Sequence, residues 1–134
     1  MTFSRTFPAV AMVAAGLLCA AVPALADDGL TRTELNRADV SGVDGLEVVV
    51  SRLEIAPGAT VPPHSHPGDE HLIVLDGGSL SLPDGKVLEF KPGMAMMFPK
   101  GKVHGNLTNT GSAPIVVYTT HIVKKGQPLT IPAE

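Results

Sequence analysis

Of 134 residues only one, Cys19, is a cysteine, none is tryptophan, and aromatic side chains make up 4% of the chain. One thiol closes no internal disulfide and supplies no pair of thiolate ligands. Charge is equally sparse, with ten Lys and Arg against 13 Asp and Glu. No basic stripe or row of stacking aromatics is present, which excludes the usual equipment for nucleic acid. Also missing are a Ser-His-Asp arrangement, a glycine loop that cradles phosphate, and a paired-carboxylate motif. No stretch keeps a helical period.

What is present begins with a segment unlike the rest. Arg5 precedes an apolar run from Ala9 to Val22, and Ala24-Leu25-Ala26 has the small-x-small form of a cleavage site. The run is shorter than the roughly 18 to 20 residues a membrane span needs, and Pro23 ends it. Residues 1–26 are therefore expected to be a cleaved signal peptide, with the product periplasmic or secreted. A lipid anchor at Cys19 is not expected, because Leu18 stands where a small residue is needed. Cleavage leaves 108 residues, no cysteine, nine basic and 13 acidic side chains, and no segment apolar enough to cross a membrane.

The mature chain alternates short β-rich runs with turn signals about every eight to twelve residues, the pattern of an antiparallel sandwich or barrel. Residues 27–45 are polar and are expected to form an N-terminal arm with one short strand. Residues 46–134 form the domain. Strands are expected at Leu46 to Ile55, His71 to Leu75, Val87 to Phe90, Met94 to Phe98, Val103 to Leu107 and Ile115 to Val123, with turns at Pro57-Gly58, Pro83-Asp84-Gly85, Lys91-Pro92-Gly93 and Pro99-Lys-Gly101. A small barrel of this size has room inside for side chains or one small ligand.

The chemistry concentrates between Gly58 and Gly77, where His64, His66 and Glu70 fall within seven residues. In extended chain His64 and His66 share a face about 6.6 Å apart, so both imidazoles can meet one ion. Pro67-Gly68 turns the chain back and brings Glu70 over the pair. A further ligand must come from elsewhere, and His104, launched by Pro99-Lys-Gly101, is the best supplier.

The spacing Gly58, five residues, His64-x-His66, three residues, Glu70, six residues, Gly77 resembles the first cupin motif, and Gly93, five residues, Pro99-x-Gly101, two residues, His104 resembles most of the second. The chain is similar to small single-domain bacterial cupins that are exported. It shares with them a start like Arg32-Thr-Glu-Leu, the core His66-Pro-Gly-Asp-Glu70 and the ending Lys125-Gly-Gln-Pro-Leu129. One departure is Thr108 where the second motif has asparagine, with Asn106 and Asn109 flanking it. The resemblance implies an all-β jelly-roll barrel, a metal held by His64, His66, Glu70 and His104, and a possible homodimer formed through N-terminal strands.

Three imidazoles and a carboxylate suit Fe, Mn, Co, Ni, Cu or Zn, and are too nitrogen-rich for Mg or Ca. Four such donors occupy part of an octahedron and leave two positions for water, substrate or dioxygen. The cupin resemblance implies a dioxygenase acting on a small apolar or aromatic molecule, with Glu70 a steady ligand or a catalytic base. A non-enzymatic exported binder of metal or small ligand, and a metal-dependent isomerase or lyase, are the alternatives. His71 follows Glu70 directly and should face away. No feature fixes the face of His121, which is either an exposed residue, the plainer expectation, or a pocket group near the metal. Met94, Met96 and Met97 are expected to pack in the core rather than bind Cu(I), and with Phe98 to wall an apolar pocket.

Overall fold

The computed structural model describes residues 25–133, and every regular element among them is a strand. Strand β3 (Leu46–Ile55) is the clearest case of sequence setting structure. Glu47, Val49, Ser51, Leu53 and Ile55 are buried and alternate with half-buried neighbours, the period-2 pattern of a strand with one face inward. Along its whole length β3 pairs antiparallel with β11 (Ile115–Lys124), from Ile115 opposite Ile55 to Lys124 opposite Leu46. The far edge of β11 takes β6 (Asp69–Asp76), which in turn takes β9 (Ala95–Phe98).

On the other side β3 takes β2 (Leu30–Asp39), and β2 takes β1 (Leu25–Asp27), which completes a six-stranded sheet ordered β1-β2-β3-β11-β6-β9. A four-stranded sheet is built from β4 (Thr60–Val61), β7 (Gly78–Ser81), β8 (Val87–Phe90) and β10 (Leu107–Asn109) in the order β4-β10-β7-β8. A third, two-stranded piece pairs β5 (His64–Ser65) with β12 (Ile131–Pro132). All of these pairings are antiparallel. The result is the expected all-β jelly-roll barrel.

Its interior has two ends. Leu53, Ile55, Leu72, Val74, Leu80, Ile115 and Val117 form the apolar core, joined by Val61, Phe90 and Leu107 from the smaller sheet. Burying each large aliphatic side chain here stabilises the fold by about 1.5–3 kcal/mol. Further along the same inward faces the residues turn polar: Ser51 on β3, Thr119 and His121 on β11, and Glu70 on β6 are all buried. The site lies at this polar end.

Three sequence expectations change. The arm at 27–45 holds a ten-residue strand, β2, paired with β3 in the same chain; its polar composition hid it because most of β2 is exposed. The strand expected at Val103 to Leu107 begins only at Leu107, because Gly105 and Asn106 take positive φ of 94° and 56° and break the extension. Of the methionines, Met96 packs against the core while Met94 and Met97 are 41% and 46% exposed. The leader at 1–26 lies, for residues 1–24, outside the described residues.

Asn109, one residue past the motif position held by Thr108, is 1% exposed. Its Nδ2 donates to the carbonyls of Ile55 and Ala113, both at 2.9 Å, and its Oδ1 accepts from Gly111 N at 2.9 Å. The side chain thus ties the turn after β10 to the end of β3.

Candidate metal centre

His64 and His104 come from segments forty residues apart, joined by a reciprocal pair of backbone bonds. His64 N donates to His104 O and His104 N to His64 O, each at 2.9 Å. The Pro99-Lys-Gly101 turn is fastened beside them, with Gly101 N donating to His66 O at 3.0 Å and Lys100 N to Asp69 Oδ1 at 2.9 Å. Gly68 lets β6 press onto β11: a Cβ there would lie 1.8 Å from Ile122 O. These contacts bring together all four residues singled out in the sequence. His71 is exposed, as its parity requires.

The ring centroids of His64, His66 and His104 lie 4.4 to 5.0 Å apart. Each ring is turned the same way. His64 Nδ1 donates to Pro62 O at 2.7 Å, His66 Nδ1 to Leu129 O at 2.5 Å and His104 Nδ1 to Lys102 O at 2.9 Å. A carbonyl oxygen only accepts, so each Nδ1 carries the hydrogen, and in the neutral ring each Nε2 keeps its lone pair. The Lys125–Leu129 ending therefore has a local task, since the Leu129 carbonyl orients His66.

Glu70 Oε2 lies 3.1 Å from His66 Nε2 and 3.1 Å from His104 Nε2, while Oε1 lies 3.4 Å from His121 Nε2. Only the His104 contact is aligned as a hydrogen bond; the Nε2 atoms of His66 and His121 have no hydrogen-bond partner. Neutral imidazole lone pairs aimed at a carboxylate oxygen repel it unless a positive charge stands between them. That charge is a proton or a metal ion. Two groupings of donor atoms, each within 4.8 Å, are of the size that holds an ion: His64, His66 and His104, and His66, Glu70 and His121. The donor chemistry fits a transition metal.

The electrostatics follow from burial and from Glu70. Burial lowers the pKa of His64 and of His121 below the ordinary imidazole value. Burial also acts to lower His104, but its bonds to the Glu70 carboxylate and the Lys102 carbonyl, with the Glu70 charge, together outweigh this and the net shift is upward. Glu70 is pushed up by burial and pulled down further by His104, His121 and His66, so it stays well below the usual carboxylate range. Arg32, on the inward face of β2, donates from Nη1 to Thr119 Oγ1 at 3.0 Å. Burial lowers the pKa of its guanidinium, and the nearby Glu70 charge opposes that shift.

His121 and Arg32 are residues that sequence reasoning left out of the site. His121 is 0% exposed and beside Glu70, which corrects the expectation of an exposed residue. No sequence signal marks it, because β11 is apolar on both faces. Arg32 becomes legible only once 30–39 is seen as a strand, with Arg32 opposite Leu53 and so facing inward.

Residues 51–121, more than half of the chain, match the family described as Cupin domain. The chain belongs to the cupin family. Over 89 residues this cupin is 36% identical to a germin-like protein of Brassica napus, covering 62% of the chain and 42% of that protein. It is 32% identical over 91 residues to an auxin-binding protein of Prunus persica, covering 62% and 41%. It thus spans less than half the length of these relatives.

Among solved structures, this cupin is similar to the polyketide cyclase RemF of Streptomyces resistomycificus, with TM-score 0.57, 25% identity, and coverage of 79% of this chain and 72% of that one. A cupin domain from Bordetella pertussis gives TM-score 0.53 at 21% identity over 73% of this chain and 97% of that one, a likeness of fold. Cupins commonly bind a metal, and this one carries His and Glu groupings that can hold one.

Proposed function

We propose that this cupin binds one divalent transition metal through His64, His66, Glu70 and His104 and is an oxidoreductase of the dioxygenase kind, acting on a small apolar or aromatic molecule. The observation that carries the reading is that the donor atoms of His64, His66 and His104 lie within 4.8 Å of one another, each ring fixed by an Nδ1–H bond to a backbone carbonyl, with Glu70 Oε2 3.1 Å from the Nε2 atoms of His66 and His104. Fe, Mn, Ni, Cu and Zn all suit such donors. When bound, the ion supplies a Lewis acid that polarises a substrate oxygen.

The chain's own residues do the rest. Glu70 is held ionised, so it serves as an anionic donor and, when it swings aside, as a base that takes a proton from the substrate. The His104 side chain is 14% exposed, against 1% for His66 and 4% for Glu70, so the open side of the site is the His104 side. There the Phe98 ring stacks on His104, with centroids 4.0 Å apart and planes 8° from parallel. With the half-buried Met96 nearby on β9, Phe98 offers a flat apolar wall to an aromatic substrate. Export, with residues 1–26 as leader, and pairing of two copies belong to the same proposal.

Two other readings each have their own support. Likeness to a polyketide cyclase favours a redox-neutral reaction, an isomerase or lyase; likeness to an auxin-binding protein favours a binder without turnover. Oxygen uptake, measured with a panel of catechols, flavonols and β-diketones, separates the three. The proposal predicts uptake that His104→Ala abolishes. Turnover without oxygen points to the isomerase or lyase, and ligand-induced stabilisation without turnover points to the binder.

A further inference from the structure

The two donor groupings share His66, and the deeper one includes His121. His121 is 0% exposed, and neither of its ring nitrogens has a hydrogen-bond partner. Buried polar atoms are nearly always satisfied, so an imidazole orphaned at both nitrogens needs an account. Its Nε2 lies 3.4 Å from Glu70 Oε1, and its ring centroid is 4.6 Å from that of His66. A transition metal with bonds of about 2.0–2.2 Å places neighbouring donors about 3 Å apart and opposite donors about 4.2 Å apart. The spacing of His121 from Glu70 and His66 is that of a ligand to an ion those two residues hold.

Resting on the metal reading above, we propose that His121 is a fifth protein donor, so that the ion is held by four imidazoles and one carboxylate. The other buried side-chain orphan on this inward face is Ser51 Oγ, on β3 opposite Thr119 and diagonal to His121. Five protein donors would leave less of the ion open to a ligand than the four of the reading above.

The chain has five histidines, which makes the test residue-specific. Protein labelled with 15N at histidine is titrated with Zn2+ and followed by long-range 1H–15N spectra, which report the tautomer and coordination of each ring. The expected result is that the Nε2 resonances of His64, His66, His104 and His121 all move on zinc binding while those of His71 do not. In calorimetry, His121→Asn lowers zinc affinity roughly tenfold or more and His71→Asn does not. If the His121→Asn variant fails to fold, the wild-type spectra decide alone. Response of His64, His66 and His104 with His121 unmoved overturns the fifth donor and leaves His121 a residue that only holds Glu70. Absence of zinc binding by any histidine overturns the metal reading itself.

Discussion

At the scale of single residues, the site is governed by which atom holds a proton. Burial lowers His64 and His121, whereas His104 is raised by its bonds to Glu70 and the Lys102 carbonyl and accepts a proton before those two on acidification. Metal and proton compete for the same Nε2 lone pairs. Metal affinity, measured by competition titration between pH 5 and 8, is therefore expected to weaken steadily below about pH 6. Full occupancy at pH 4 contradicts this. In the metal-free protein the signs differ. The raised His104 adds stability below its unfolded value near 6.5, lost as pH rises through its folded value. The depressed Glu70 adds stability above its unfolded value near 4.5, lost as pH falls further. Asn109 gives a second residue-scale expectation. Replacing it by alanine removes its bonds to the Ile55 and Ala113 carbonyls and from Gly111 N, and urea unfolding should show a loss of about 2–4 kcal/mol.

At the scale of elements, the metal centre depends on how closely the His104 segment lies against the His64 segment. Gly105 has φ of +94°, and a Cβ there would lie 2.4 Å from Pro62 O and 3.1 Å from His64 Nδ1. That carbonyl is the acceptor that orients His64. Gly105→Ala should therefore weaken metal binding by roughly tenfold or more, as loss of a ligand's supporting contact does, while Gly85→Ala, in a turn with open space around it, should leave metal affinity unchanged. Calorimetric titration of both variants checks the contrast. Strand β3 is legible to the residue because it is rich in β-branched residues, sets Leu53 and Ile55 on one face and ends at Pro57-Gly58, and β8 because turn signals bracket it. Strand β2 is not, since most of its residues are exposed and it carries no apolar alternation to read. The facing of β11 was equally hidden, because Val116, Tyr118 and Ile122 on one side are as apolar as Val117 and Val123 on the other, and the polar inward pair Thr119 and His121 then passes for an exposed pair.

At the scale of the whole molecule, the two glycine-bounded motifs made the barrel and four of the site residues readable, while Arg32 and His121 depend on strand register that no local pattern encodes. The barrel divides into an apolar end that holds the sheets together and a polar end that carries buried charge and unpaired donors. A bound ion resolves the second end, so metal should stabilise the fold by mass action, about 2.7 kcal/mol at a hundredfold excess over the dissociation constant, seen as a rise in melting temperature. The measurement that tests the account most directly is elemental analysis of the protein purified without chelator from its native compartment, beside a His64→Ala/His104→Ala variant. The account predicts about one transition-metal ion per chain in the wild type and little in the variant. A folded wild-type protein that carries no metal, and takes up none when Fe, Mn, Ni, Cu or Zn is supplied, contradicts it.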